Sequence, residues 1–203
     1  MTEVKPLKYQ SLEGFSERQL KEHHDVLYAG YCAKVDDIRT KFKDADTSQA
    51  NAISSRWRGL SVELTFALNA VKLHEAYFAN LGGNGQPDGD ILTFIEQDFG
   101  SVDEYRFNLM ACARAARGWA VTAYDLDDNR VYNFCCDAHN QGDIWNAIPL
   151  VVLDVYEHAY FIDYGTDRKS YLQAFWKNVD YGYVNSRIAE FQLIKRRSQL
   201  KAA

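Results

Sequence analysis

Residues 147–164 read AIPLVVLDVYEHAYFIDY, an apolar run that breaks off at a carboxylate. The run from Ala147 to Leu153 carries no charge and holds Ile148, Val151 and Val152, so its composition and length predict a buried strand over 147–154. Asp154 follows directly. A carboxylate at the end of a buried strand needs a cation or several donors. His158 comes four residues later.

Upstream, WAVTAYDL (119–126), the turn Asp127-Asp128-Asn129 and RVYNFCC (130–136) predict a β-hairpin. A polar loop, DAHNQGD (137–143), joins it to the third strand. Before the hairpin, Ser101 and Glu104 form an S-x-x-E capping box that opens a helix closed by Gly118, and Asp90 caps a shorter helix ending near Phe99. Beyond Tyr164, the residues Tyr171, Phe175 and Val179 mark closing helices.

Further out, the N-terminal part is helical. Ser16 caps a helix whose stripe is Leu20, His23, Leu27, Tyr31, Val35 and Ile38. After a polar patch, Leu60, Leu64, Ala67, Val71, His74 and Phe78 share the stripe of a second helix that runs to about Leu81. A short polar connection between them predicts an antiparallel helical hairpin. LGGNGQPDGD (81–90) holds four of the twelve glycines and marks a boundary between residues 1–84 and 85–203. The expected class is α+β, a helical hairpin followed by a three-stranded antiparallel sheet with flanking helices.

Composition excludes several functions. The 203 residues are 47% hydrophobic and 25% charged, which suits a packed globular chain and not a disordered one. A net charge of −5 argues against a nucleic-acid partner. No apolar stretch approaches a membrane span, and MTEVKPLKYQ has no signal-peptide core. Cys32, Cys112, Cys135 and Cys136 show no metal-binding spacing, and idle thiols in a reducing compartment are expected. The expected location is cytoplasmic.

Two helices therefore each place a histidine, His23 and His74, on a buried stripe, while Asp154 ends a buried strand and His158 follows it four residues later. Three imidazoles and one carboxylate satisfy one another poorly by hydrogen bonds and satisfy a metal well. Nitrogen and oxygen donors without thiolate suit Fe, Mn or Zn. His24 lies about 100° from His23 on an α-helix and is expected to face the surface or a partner. His139, in the loop before the ligand strand, is within reach of the site.

DVYEHAYFIDY (154–164) resembles the D-x-W-E-H-A signature of the iron/manganese superoxide dismutases. PLKYQSL (6–12), FSERQLKEHH (15–24) and GYC (30–32) resemble that family's first helix. NAVKLHEAYFANLGG (69–83) resembles its second ligand helix, most like archaeal members. GWAVTAYD (118–125) and AFWKNVDYGYVNSR (174–187) resemble its sheet and C-terminal helix. The resemblance implies one Fe or Mn ion per subunit, held by His23, His74, Asp154 and His158, and superoxide as a small anionic substrate converted to O2 and H2O2. It implies that Tyr31 gates the substrate funnel. It also implies that Glu157 bonds a ligand histidine across the interface of a homodimer or higher homo-oligomer. The family's group facing metal-bound solvent is Gln or His. Ala70 lacks the side chain that iron-type members place there. His139, 15 residues before Asp154 as in the histidine-bearing branch, is favoured, with Gln141 its rival.

The departures are specific. A family histidine pair is Leu27 and Tyr28 here, the signature Trp is Tyr156, another family Trp is Val121, and a family tyrosine is Phe161. In relatives the groups at the Leu27 and Phe161 positions bond each other across the dimer interface. Their joint loss leaves a second reading, a metal-dependent oxidase or oxygenase on the same scaffold with little dismutase activity.

Overall fold

The computed structural model describes residues 2–142 and 144–200. Asp143, which ends the expected loop 137–143, and the outermost residues of the two expected halves lie outside that range. Ser16 caps helix α1 (Glu17–Lys21), its hydroxyl accepting from the Gln19 N–H at 3.1 Å. The chain then passes through a π-helical segment, Glu22–Tyr28, into α2 (Ala29–Phe42). There the Ala29 N–H reaches back five residues to the His24 carbonyl. This differs from the uninterrupted α-helix expected from the stripe. The wider turn brings neighbouring side chains closer in angle, so His23 and His24 are both buried. The expectation that His24 faces outward is overturned: its ring holds the Lys5 carbonyl at 2.9 Å and Asp25 at 2.7 Å.

Helix α3 (Arg56–Ala79), capped by Ser55, packs back along α2 to complete the hairpin. Its end is tied to the sheet by Asn80. The Asn80 amide donates to the Tyr77 carbonyl at 2.7 Å, and its oxygen accepts from Val152 N–H at 2.6 Å. Helices α4 (Gly89–Phe99) and α5 (Val102–Ala115) follow, with Gly100 at φ 88° between them and the Ser101 hydroxyl accepting from Glu104 N–H. The α4 cap position is Asp88, with Asp90 in the first turn, and α5 stops at Ala115, three residues before Gly118.

Strands β1 (Trp119–Asp125), β2 (Arg130–Cys136) and β3 (Ala147–Asp154) form an antiparallel sheet in the order β2-β1-β3. The central strand is buried almost throughout, and Pro149 sits on the outer strand β3 beside a register shift. That is where a residue without an N–H is tolerated. Helices α6 (Phe161–Tyr164), α7 (Arg168–Lys177), α8 (Tyr181–Glu190) and α9 (Leu193–Leu200) close the molecule. The glycine-rich segment is pinned in place. Gly83 and Gly85 N–H groups donate to the Asn178 and Val179 carbonyls at 3.0 and 3.1 Å. A Cβ on Gly83 would stand 2.3 Å from the Val179 carbonyl oxygen, so only glycine permits that approach.

Candidate metal centre

Four donors meet where the helical hairpin packs on the end of β3. His23 comes from the π-helical segment, His74 from α3, Asp154 from the last position of β3, and His158 from the 3-10 turn Glu157–Ala159. One ligand atom from each lies within 4.8 Å of the others. The Nε2 atoms of His23 and His158 are each 3.1 Å from Asp154 Oδ2, and His74 Nε2 is 3.6 Å from it. Asp154 and His74 are wholly buried, and His23 almost so. The Tyr156 N–H donates to Asp154 Oδ1 at 2.9 Å, which aims the other carboxylate oxygen at the rings.

The donor chemistry fits a cation. His74 Nδ1 donates to the Ala70 carbonyl at 2.7 Å, so its Nε2 carries a lone pair. That atom is buried without a hydrogen-bond partner and faces a carboxylate oxygen. Two acceptors in this arrangement repel unless a positive charge lies between them. Burial, with the neighbouring His23, drives the His74 pKa down to about 3. His23 is also lowered by burial, against the pull of Asp154. Burial alone would raise Asp154, but His158 and His23 hold its carboxyl well below the usual range. Burial disfavours protonated His158, yet the Asp154 carboxylate outweighs it and raises that pKa. Ligating imidazoles must be neutral, and His74 is neutral across the physiological range.

A layer of hydrogen bonds lies beside the cluster. Trp119 Nε1 donates to His139 Nδ1 at 3.0 Å. An indole N–H can only donate, so His139 Nδ1 is the acceptor and its Nε2–H is left to donate to Tyr31 Oη, 3.0 Å away. The Tyr31 hydroxyl hydrogen is thereby free to point elsewhere. The His139 and His74 rings lie 5.8 Å apart, while Gln141 is exposed on the loop. Burial lowers the His139 pKa to about 4 and, with Asp154, raises that of Tyr31. Tyr156 stacks on His158 with ring centres 5.1 Å apart and meets Trp119 edge-on.

Other expected positions lie at the rim. Glu157 and Phe161 are exposed and Leu27 is half-buried. Tyr28 is buried, its hydroxyl accepting from Lys5 N–H and donating to Glu75. Sequence reasoning missed two supports of the ligands. The Gln19 amide donates to the His158 carbonyl at 2.7 Å, while its oxygen accepts from Ile162 N–H. The Tyr171 hydroxyl donates to the Asp154 carbonyl at 2.6 Å. Gln19 lies four residues before His23 and shares its buried side, a spacing that could have flagged it. Tyr171 gave no signal beyond an aromatic on a helical stripe.

Comparison with known proteins agrees with this centre. Residues 87–187 match the family model for the C-terminal domain of iron/manganese superoxide dismutases. An iron superoxide dismutase of Aquifex pyrophilus is 43% identical over 186 residues, 89% of this chain and 87% of that protein. A manganese superoxide dismutase of Halobacterium salinarum is 33% identical over 179 residues, 87% of this chain and 88% of that one. An iron superoxide dismutase of Cupriavidus metallidurans is 32% identical over 192 residues, covering 92% and 96%. With likeness at this level along most of its length, and four ligand-type side chains gathered at one point, the chain belongs to the iron/manganese superoxide dismutase family.

Proposed function

We propose that the protein is a superoxide dismutase that holds one Fe or Mn ion on His23, His74, Asp154 and His158. The observation that carries this reading is the orphaned His74 Nε2 directed at the buried Asp154 carboxylate. When bound, the ion would supply one-electron redox chemistry toward superoxide. The protein's own part is ligand orientation and proton supply. Ala70, Gln19, Tyr156 and Tyr171 fix the ligand groups or their backbone. His139, oriented by Trp119, holds the Tyr31 oxygen so that its O–H can be offered to the substrate anion as a hydrogen bond and proton. Gln141, exposed, is the weaker candidate for that duty.

Glu157, Leu27 and Phe161 are assigned to a homodimer interface, a reading supported by the exposed apolar side chains Val26, Phe161 and Ile162. A cytoplasmic location is supported by cysteine usage without a disulfide framework. No described helix is long and apolar enough to cross a membrane.

Metal analysis of purified protein paired with a superoxide consumption assay tests the function. The expected result is one Fe or Mn per chain with superoxide consumed, and loss of both in His74→Ala. Full metal in that variant would sink the ligand assignment. Stoichiometric metal in the unaltered protein without superoxide consumption would select the oxidase or oxygenase reading.

A further inference from the structure

We propose that Cys112 and Cys135 form a reversible dithiol that hydrogen peroxide closes into a disulfide joining α5 to β2. The proposal rests on the dismutase reading only for the source of its oxidant, which is that reaction's product.

Cys112 on α5 is half-buried, and Cys135 on β2 is exposed. Each thiol reaches the other's element. Cys135 Sγ donates to the Cys112 carbonyl at 3.5 Å, and Cys112 Sγ donates to the Asn133 carbonyl at 3.6 Å. The Cys135 side chain thus lies against the Cys112 backbone, and the two thiols are near enough to act on each other's proton. Closing the disulfide asks the Cys135 sulfur to turn from the Cys112 carbonyl to the Cys112 sulfur, a rotation open to an exposed side chain. Cys136 is buried and, by strand alternation, points to the opposite face of β2. Cys32 is buried in the helical hairpin.

Exposure and burial also set the order of events. Burial, reinforced by Cys135, pushes the Cys112 thiol up to about 11, so Cys112 is a poor first nucleophile. The exposed Cys135 sulfur is the one that peroxide meets first, and as a thiolate it attacks one oxygen of hydrogen peroxide. An S–O bond forms, the O–O bond breaks, and the departing hydroxide takes a proton to become water. Cys112 sulfur then attacks the sulfenic sulfur. An S–S bond forms, the S–O bond breaks, and a second water leaves with the proton from Cys112. The two thiols have given up two electrons in all, and the peroxide has gained them. Cellular thiols reverse the bond. Its place in the fold gives it a consequence: Cys136 pairs with Trp119 on β1, and the loop bearing His139 leaves the end of β2. The closed form ties that strand end to α5.

The test exposes the metal-loaded full chain to added hydrogen peroxide, and separately to a superoxide source with and without catalase. The readouts are free-thiol count, a peptide mass map and the melting temperature. Added peroxide is expected to remove two of the four free thiols, yield a Cys112–Cys135 cross-linked peptide, and raise the melting temperature by several degrees until a dithiol reductant is added. Cys135→Ser should abolish all three changes, and Cys112→Ser should leave a sulfenic acid on Cys135 that dimedone traps. Four intact thiols after added peroxide, or a cross-link through Cys136 or between chains, would overturn the dithiol. Because superoxide also disproportionates to peroxide unaided, the two readings are separated by the rate of superoxide consumption: closure by added peroxide in a chain that does not speed that consumption leaves the dithiol standing while the dismutase reading fails.

Discussion

The buried histidines set how the metal-free protein responds to acid. His74 and His139 are driven down to about 3 and about 4, and His23 is lowered as well, while the unfolded chain protonates histidine near pH 6.5. Below about pH 6.5 the unfolded state binds more protons at these positions, so stability falls as pH falls from there toward the folded values. His158, raised by Asp154, works in the opposite sense, and its contribution is lost as pH rises through its folded value. Asp154, lowered, adds stability that is present above about pH 4 and lost below it. Three lowered histidines outnumber one raised. The metal-free protein should therefore melt several degrees lower at about pH 5 than at about pH 7, with a smaller drop in His139→Gln. A flat profile would contradict the burial of these rings as neutral groups. His139 also invites a kinetic test. His139→Ala removes the partner of Trp119 Nε1 and Tyr31 Oη, and should lower the dismutase rate roughly 10- to 100-fold with metal content near normal. Gln141→Ala, at an exposed position, should change the rate little. Equal small effects from both would remove His139 from the proton path.

Among the elements, those that pair a clear period with a cap were legible: the Ser16 and Ser101 hydroxyls both accept the N–H three residues on, whereas the Ser55 cap of α3 was not read. The strands were legible because apolar, β-prone runs of the right length and the Asp127–Asn129 turn agree. The π-helical segment was not, since a stripe spaced three or four apart fits an α-helix equally well and the i→i+5 bond leaves no mark in residue type. That one turn put His24 on the wrong side. The four clustered donors were legible because buried imidazoles and a buried carboxylate need a shared reason; their supports were not, since Tyr171 and Asn80 act through backbone groups that only the folded packing brings near. Asn80 illustrates the cost of losing such a support. It is wholly buried and is the acceptor for Val152 N–H on an edge strand two residues from Asp154. Asn80→Ala should cost about 1–3 kcal/mol, because a buried donor is left unpaired, and should loosen metal retention along with it. Chemical denaturation alongside metal analysis would show both, and unchanged stability would mean that water or a shifted strand satisfies Val152.

For the whole molecule, the question is what covers its apolar rim. Val26 is 60% exposed, Phe161 50% and Ile162 42%, all on segments adjoining the four clustered donors. A second copy would remove them from water, and a two-fold contact places the same patch on both sides. The resemblance suggests how Leu27 and Phe161 came to stand there. Where relatives have a histidine on one subunit bonded to a tyrosine on the other, this chain has an apolar residue at both positions. Changing one alone would strand a buried polar group at a cost of about 1–3 kcal/mol, whereas replacing both exchanges the bond for a contact of similar shape and is nearly neutral. The pair is thus expected to have changed together, leaving His139 as the hydrogen-bonding partner of Tyr31. Each of Leu27→His and Phe161→Tyr alone should weaken the proposed dimer in sedimentation. Together they should restore it and raise the dismutase rate by more than the two single changes combined. Monomeric protein at micromolar concentration, or a double variant that gains no rate, would detach Leu27 and Phe161 from both interface and proton path, and Glu157 would then be the next position to substitute.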